Sequence, residues 1–90
     1  MSRPQIALFT FTLGNAESIG PAALRELWVR ASGTANVDVA RRDPHVGRRD
    51  RPVYTLYASQ GLANLRDVEV RLRQLLEAAH LNASLTSLHA

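Results

Sequence analysis

The sequence predicts an α+β domain, a four-stranded antiparallel sheet with two helices packed on one of its faces. Three observations carry this. The apolar run Gln5 to Leu13 (QIALFTFTL) stops at Gly14-Asn15, too short for an ordinary globular helix and rich in Phe, Ile, Leu and Thr. Two later segments carry apolar residues at helical spacing. Three further short runs alternate or favour β-branched residues, and together the six segments read strand, helix, strand, strand, helix, strand.

The first strand is apolar on both parities, with Ile6 and Leu8 on one and Ala7, Phe9, Phe11 and Leu13 on the other. A strand apolar on both faces belongs in the middle of a sheet. After the turn Gly14-Asn15-Ala16-Glu17, Ser18 offers an N-cap, and Pro21 fits a helix's first turn, where N–H groups lack intrahelical partners. Leu24, Leu27, Trp28 and Ala31 then recur on one helical face, Glu26 and Arg30 pair off it, and Ser32-Gly33 closes the helix.

Thr34 to Arg41 alternates Ala35, Val37 and Val39 against Asn36, Asp38 and Ala40, the pattern of a half-buried strand near an edge. Asp43-Pro44 and Gly47 make the following arginine-rich segment a loop. Val53 to Ser59 is the third strand, with Tyr54 and Tyr57 on opposite sides, and Gln60-Gly61 turns. Asn64 caps the second helix, whose stripe is Leu65, Val68, Leu72, Leu75, Leu76 and Ala79, with Asp67–Arg71 and Glu69–Arg73 paired outside. Ala83 to Leu88 is a weaker last strand.

Two split strand–helix–strand units within one domain of 90 residues form the ferredoxin-like βαββαβ sandwich, with the first and third strands central. The expected core is Phe9, Phe11, Leu13, Val37, Leu56, Leu24, Leu27, Trp28, Leu72, Leu75 and Leu76. The other sheet face then shows Ile6, Leu8, Thr10, Thr12, Val53, Thr55 and Tyr57, a half-apolar, threonine-rich surface of the kind that meets a partner or a second copy.

Hydrophobic residues at 46% and charged residues at 21% are those of a globular domain, and the chain has no cysteine, which excludes thiolate chemistry and leans the compartment towards the cytoplasm. No apolar run approaches the roughly 20 residues that span a bilayer. A signal peptide over the first 13 residues is disfavoured, because one Arg is its only basic residue, two threonines interrupt it and cleavage would delete the central strand. All eleven basic residues are Arg, which with the abundant Ala and Leu reads as codon usage of a GC-rich genome. Arg41, Arg42, Arg48, Arg49 and Arg51 face only Asp43 and Asp50 within their segment, and this excess equals the chain's net charge of +3. The segment is therefore the candidate contact for RNA or an acidic partner.

Catalytic signatures are absent from the sequence. His45, His80 and His89 share no metal-ligand spacing, and no serine lies in a G-x-S-x-G context. The loop from Gly14 to Gly20 precedes a helix but carries Glu17 and no basic residue, which argues against phosphate binding and against acylphosphatase chemistry. Neither a cofactor nor a metal is expected, and an enzyme or a small-molecule sensor is only a third reading. RNA-recognition motifs use this topology and stack bases on aromatics of the central strands. Phe9, Phe11, Tyr54 and Tyr57 are the candidate rings here, but the third strand lacks that family's glycine and aromatic pattern.

The order of elements, with Gly20-Pro21 opening the first helix, resembles the ACT-type regulatory domains. In that family the loop before the helix often carries Asp-x-Pro-Gly, and amino-acid effectors bind near it at a dimer interface. Here the loop reads Glu17-Ser18-Ile19-Gly20-Pro21, with Gly and Pro reversed and Glu for Asp. The chain also resembles the YbeD-like family of small bacterial proteins in topology, length and a basic loop of the second hairpin. The half-apolar sheet face points to a non-enzymatic interaction or regulatory module that acts through that face, as a homodimer or with a protein partner, and the ACT-type resemblance implies a ligand sensor as one form of it.

Overall fold

The computed structural model describes residues 5–14, 18–42 and 52–88. Its elements are β1 (Gln5–Leu13), α1 (Pro21–Ser32), β2 (Val37–Arg42), β3 (Val53–Ser59), α2 (Leu65–Ala78) and β4 (Ala83–Ser87). The sheet order is β2-β3-β1-β4 with every neighbouring pair antiparallel, the ferredoxin-like arrangement. Both helices pack on one side. No helix among the described residues is long and apolar enough to cross a membrane.

One irregularity decides which side chains face which way. Along β1 the partners on β3 run Gln5–Ser59, Ile6–Ala58 and Ala7–Tyr57, then jump to Phe9–Leu56, Thr10–Thr55 and Phe11–Tyr54. Leu8 is the extra residue of a β-bulge, so Leu8 and Phe9 together oppose Leu56. Both are buried among the helices, at 2% and 0% exposure. The bulge shifts the parity of the strand, and apolar residues of both parities reach the same core. Leu8, expected on the open face, therefore belongs to the core. Ile6 is in register with core residue Ala58, on the helix side of the sheet, and is 38% exposed at the margin of the core.

The bulge also interrupts hydrogen bonding between β1 and β3, and the Trp28 indole N–H of α1 donates to the Tyr57 carbonyl at 2.9 Å. The indole meets Phe9 edge-on, with centroids 5.8 Å apart and planes at 80°. Around this pair lie Phe11, Leu13, Leu24, Val37, Leu56, Leu72 and Leu76, as the apolar spacing predicts, together with Tyr54, Ala58, Ala31 and Val68. Leu27 and Leu75, also expected in the core, are half-buried and line the outer groove between the helices.

Local chemistry sets the helix ends. The N-cap of α1 is Gly20, not Ser18, because Pro21 occupies the first helical position, where its missing N–H costs nothing. Gly33 takes the left-handed conformation at φ 78° and its N–H bonds to the Val29 carbonyl at 2.9 Å. The turn Thr34–Asn36, closed by the Asn36 N–H to Thr34 Oγ1 at 3.1 Å, delays β2 to Val37. Asn64 caps α2 as expected, but in a left-handed conformation and without a side-chain bond to the helix. Arg71, expected to pair with Asp67, donates instead to the Ala31 carbonyl at 3.2 Å and ties the two helices together. The expected pairs Glu26–Arg30 and Glu69–Arg73 form at 3.6 and 3.5 Å.

The end of α2 is a Schellman motif. His80 N–H bonds to the Glu77 carbonyl and Leu81 N–H to the Leu76 carbonyl, with His80 at φ 59°. A side chain bearing a Cβ is strained there, so His80→Gly is expected to stabilise the fold by about 1 kcal/mol, raising Tm by about 4–8 °C in a thermal melt. Leu8→Ala is expected to destabilise by about 2–4 kcal/mol in urea unfolding, the cost of a core cavity. A loss within about 0.5 kcal/mol, as at a surface site, would place Leu8 outside the core.

Candidate interaction surface

The sheet face away from the helices is what the register leaves open. Ala40, Thr55, Thr10 and Thr86 form one row across all four strands, each in register with the next. A second row is Asp38, Tyr57 and Ala7, and a third pairs Thr12 with Ser84. Val53 and Arg42 face each other at one corner, and Ser59 faces Gln5 at another. Among the described residues, the charged side chains of this surface, Asp38 and Arg42, stand on the edge strand β2. The centre of the face is neutral and made of short or β-branched side chains around one aromatic ring, Tyr57.

Of the expected face residues, Thr10, Thr12, Val53, Thr55 and Tyr57 lie on this surface and are half-buried by their neighbours. Ile6 and Leu8 do not. Ala7, Ser84 and Thr86 belong to it and were not expected, and Ala40 lies on the side that the alternation of its strand indicates. A signal for Ala7 was present, since the apolar parity changes between Leu8 and Phe9, and a break in alternation of that kind marks a bulge.

The aromatic residues separate in the same way. Phe11 stacks on Tyr54 at 5.0 Å with planes at 17°, inside the core. The Tyr54 hydroxyl accepts the Ile19 N–H at 3.3 Å, which anchors the chain entering α1. Phe9, Phe11 and Tyr54 are therefore closed to a stacked base, and Tyr57 alone of the four candidate rings lies on the open face.

Arg41 and Arg42 are exposed at the end of β2 and point to opposite sides of the sheet. Arg41 is in register with Tyr54, its guanidinium carbon 5.8 Å from the ring centroid, within cation–π range. Arg42 is in register with Val53 on the open side. Arg48, Arg49 and Arg51 lie outside the described residues, as do His45, His89 and Glu17.

A depression of about 320 Å³ between the helices is lined by Ala23, Leu27, Leu75 and Ala78, and its two ionisable residues, Glu26 and Arg30, pair with each other. A smaller apolar cleft of about 130 Å³ lies among Ile19, Pro21, Leu24, Val39 and Tyr54. Among the described residues no three His, Asp or Glu side chains gather as a metal site would require.

No family model, curated protein or solved structure matches the chain. The likeness to ACT-type and YbeD-like proteins thus rests on the order of elements and the loop residues alone.

Proposed function

We propose that this chain is a small non-enzymatic interaction or regulatory module that acts through its open sheet face as a cytoplasmic homodimer. One observation carries the reading. The centre of a four-stranded face, the row Ala40, Thr55, Thr10 and Thr86, is neutral and covered by no described residue. Short side chains make it flat, and a flat neutral surface is self-complementary under a two-fold axis. Tyr57 supplies the aromatic anchor that interfaces favour near their centre.

The competing reading is a domain that binds RNA or an acidic protein through the arginine segment 41–51. Its support is the charge of that segment and the exposure of Arg41 and Arg42. Its stacking platform has gone into the core.

Sedimentation separates the two. The wild-type chain is expected to self-associate at high micromolar concentration with little dependence on salt, because no charge lies at the centre of the contact. Thr55→Arg, at the middle of the face, is expected to remove that contact while changing folding stability by no more than about 0.5 kcal/mol. Contact through the arginine segment would instead weaken steeply as salt rises and would survive Thr55→Arg. A wild-type chain that stays monomeric at high micromolar concentration contradicts the homodimer.

A further inference from the structure

The first turn of α1 and the facing parts of β2 and β3 enclose the apolar cleft of about 130 Å³. Ile19, Pro21, Leu24 and Val39 supply its walls, and Tyr54 and Arg41 complete them. Tyr54 is 1% exposed, and its hydroxyl oxygen accepts the Ile19 N–H at 3.3 Å, which sets the phenol group at one wall of the cleft. The hydroxyl proton has no acceptor among the described residues. A buried donor left without an acceptor is costly and rare in folded proteins. This one stands beside an apolar space rather than within packed side chains.

Two positive groups converge on the same cleft. Arg41 is the charged residue of its lining, with the guanidinium carbon 5.8 Å from the Tyr54 ring centroid. The N-terminus of α1 is the other. No side chain caps it, no acid occupies its first turn, and the N–H groups of Ala22 and Ala23 have no partner among the described residues. The partial positive charge of a helix N-terminus favours an anion. The cleft lining holds no acid, so nothing there would balance a ligand's ammonium group.

We propose that this cleft binds a small monocarboxylate with a compact apolar body, of the chemical class of benzoate. The body fills the space among Ile19, Leu24 and Val39. The carboxylate accepts the Tyr54 O–H and takes the charge of Arg41 and of the α1 N-terminus. Apolar walls with a few convergent polar groups are the usual make-up of a small-molecule site. Volume sets the size of the ligand. A cavity of about 150 Å³ holds a benzene ring, so this cleft admits one ring or an aliphatic group of similar bulk. The site lies on the helix side of the sheet, apart from the open-face contact, and does not depend on it.

Titration of the isotope-labelled full chain with benzoate, read by amide chemical shifts, tests this. Saturable shifts are expected at Ile19, Leu24, Val39 and Arg41. Tyr54→Phe keeps the stacked ring and removes the donor, and should weaken benzoate by about tenfold. Toluene has no acceptor and should bind Tyr54→Phe as well as it binds the wild type, which separates a lost hydrogen bond from a disturbed cleft. Arg41→Gln, at an exposed position, should weaken benzoate by about twofold to fivefold. Benzylamine, the same ring carrying a cation, should bind at least about tenfold more weakly than benzoate. Shifts that fail to saturate, or that fall on other amides, overturn the site. Benzylamine as tight as benzoate, or Tyr54→Phe as tight as the wild type, overturns the carboxylate as its ligand. Thr55→Arg should leave benzoate affinity unchanged while it removes self-association, so each of the two contacts can fail alone.

Discussion

The bulge at Leu8 in β1 is the constraint on which the rest of the domain depends. A strand of strict alternation would send Ile6 and Leu8 to one face and Phe9, Phe11 and Leu13 to the other. One extra residue opposite Leu56 brings both sets to the helices. A chain of 90 residues has few side chains to spend on a core, and the bulge recruits an additional leucine from its central strand. The local break in the ladder is partly made good by the Trp28 indole N–H at the Tyr57 carbonyl, so helix and sheet lock together where the strand is irregular.

The same shift determines the chemistry of the open surface. With Leu8 withdrawn, the face is defined by Ala7, Thr10, Thr12, Thr55 and Tyr57 and is more polar than the alternation of β1 implies. It is also uncharged except at the β2 margin. Among the described strand residues, charge is thus concentrated on β2, in Asp38, Arg41 and Arg42, while β4 carries none. Phe9, Phe11 and Tyr54 share the core, which takes from the open face the rings that a base would stack on.

Most of the fold was legible in the sequence. β1 and β3 have the bounds that their composition and turn residues indicate, and the stripe from Leu65 to Leu76 identifies α2. Gly33 after Ser32 marks the end of α1 because only a residue without a Cβ takes φ 78° without strain. Less legible were features set by local competition. Ser18 is a good cap by type, but Pro21 draws the helix start to Gly20. His80 sits in a left-handed conformation that nothing about histidine announces, since the Schellman bonds to Leu76 and Glu77 impose it. The candidate surface was half legible. Thr10, Thr55 and Tyr57 follow from alternation, but Leu8 was misplaced because alternation alone has no place for an inserted residue.

The chain's lack of cysteine gives the most direct test of the bulge. Ala7→Cys, Leu8→Cys and Phe9→Cys, each made singly, report by thiol-labelling rate in the folded protein which way consecutive side chains point. The structure predicts ready labelling at position 7 and protection at both 8 and 9. Protection at 7 and 9 with ready labelling at 8 would mean a regular strand, and would contradict both the core and the open face described above.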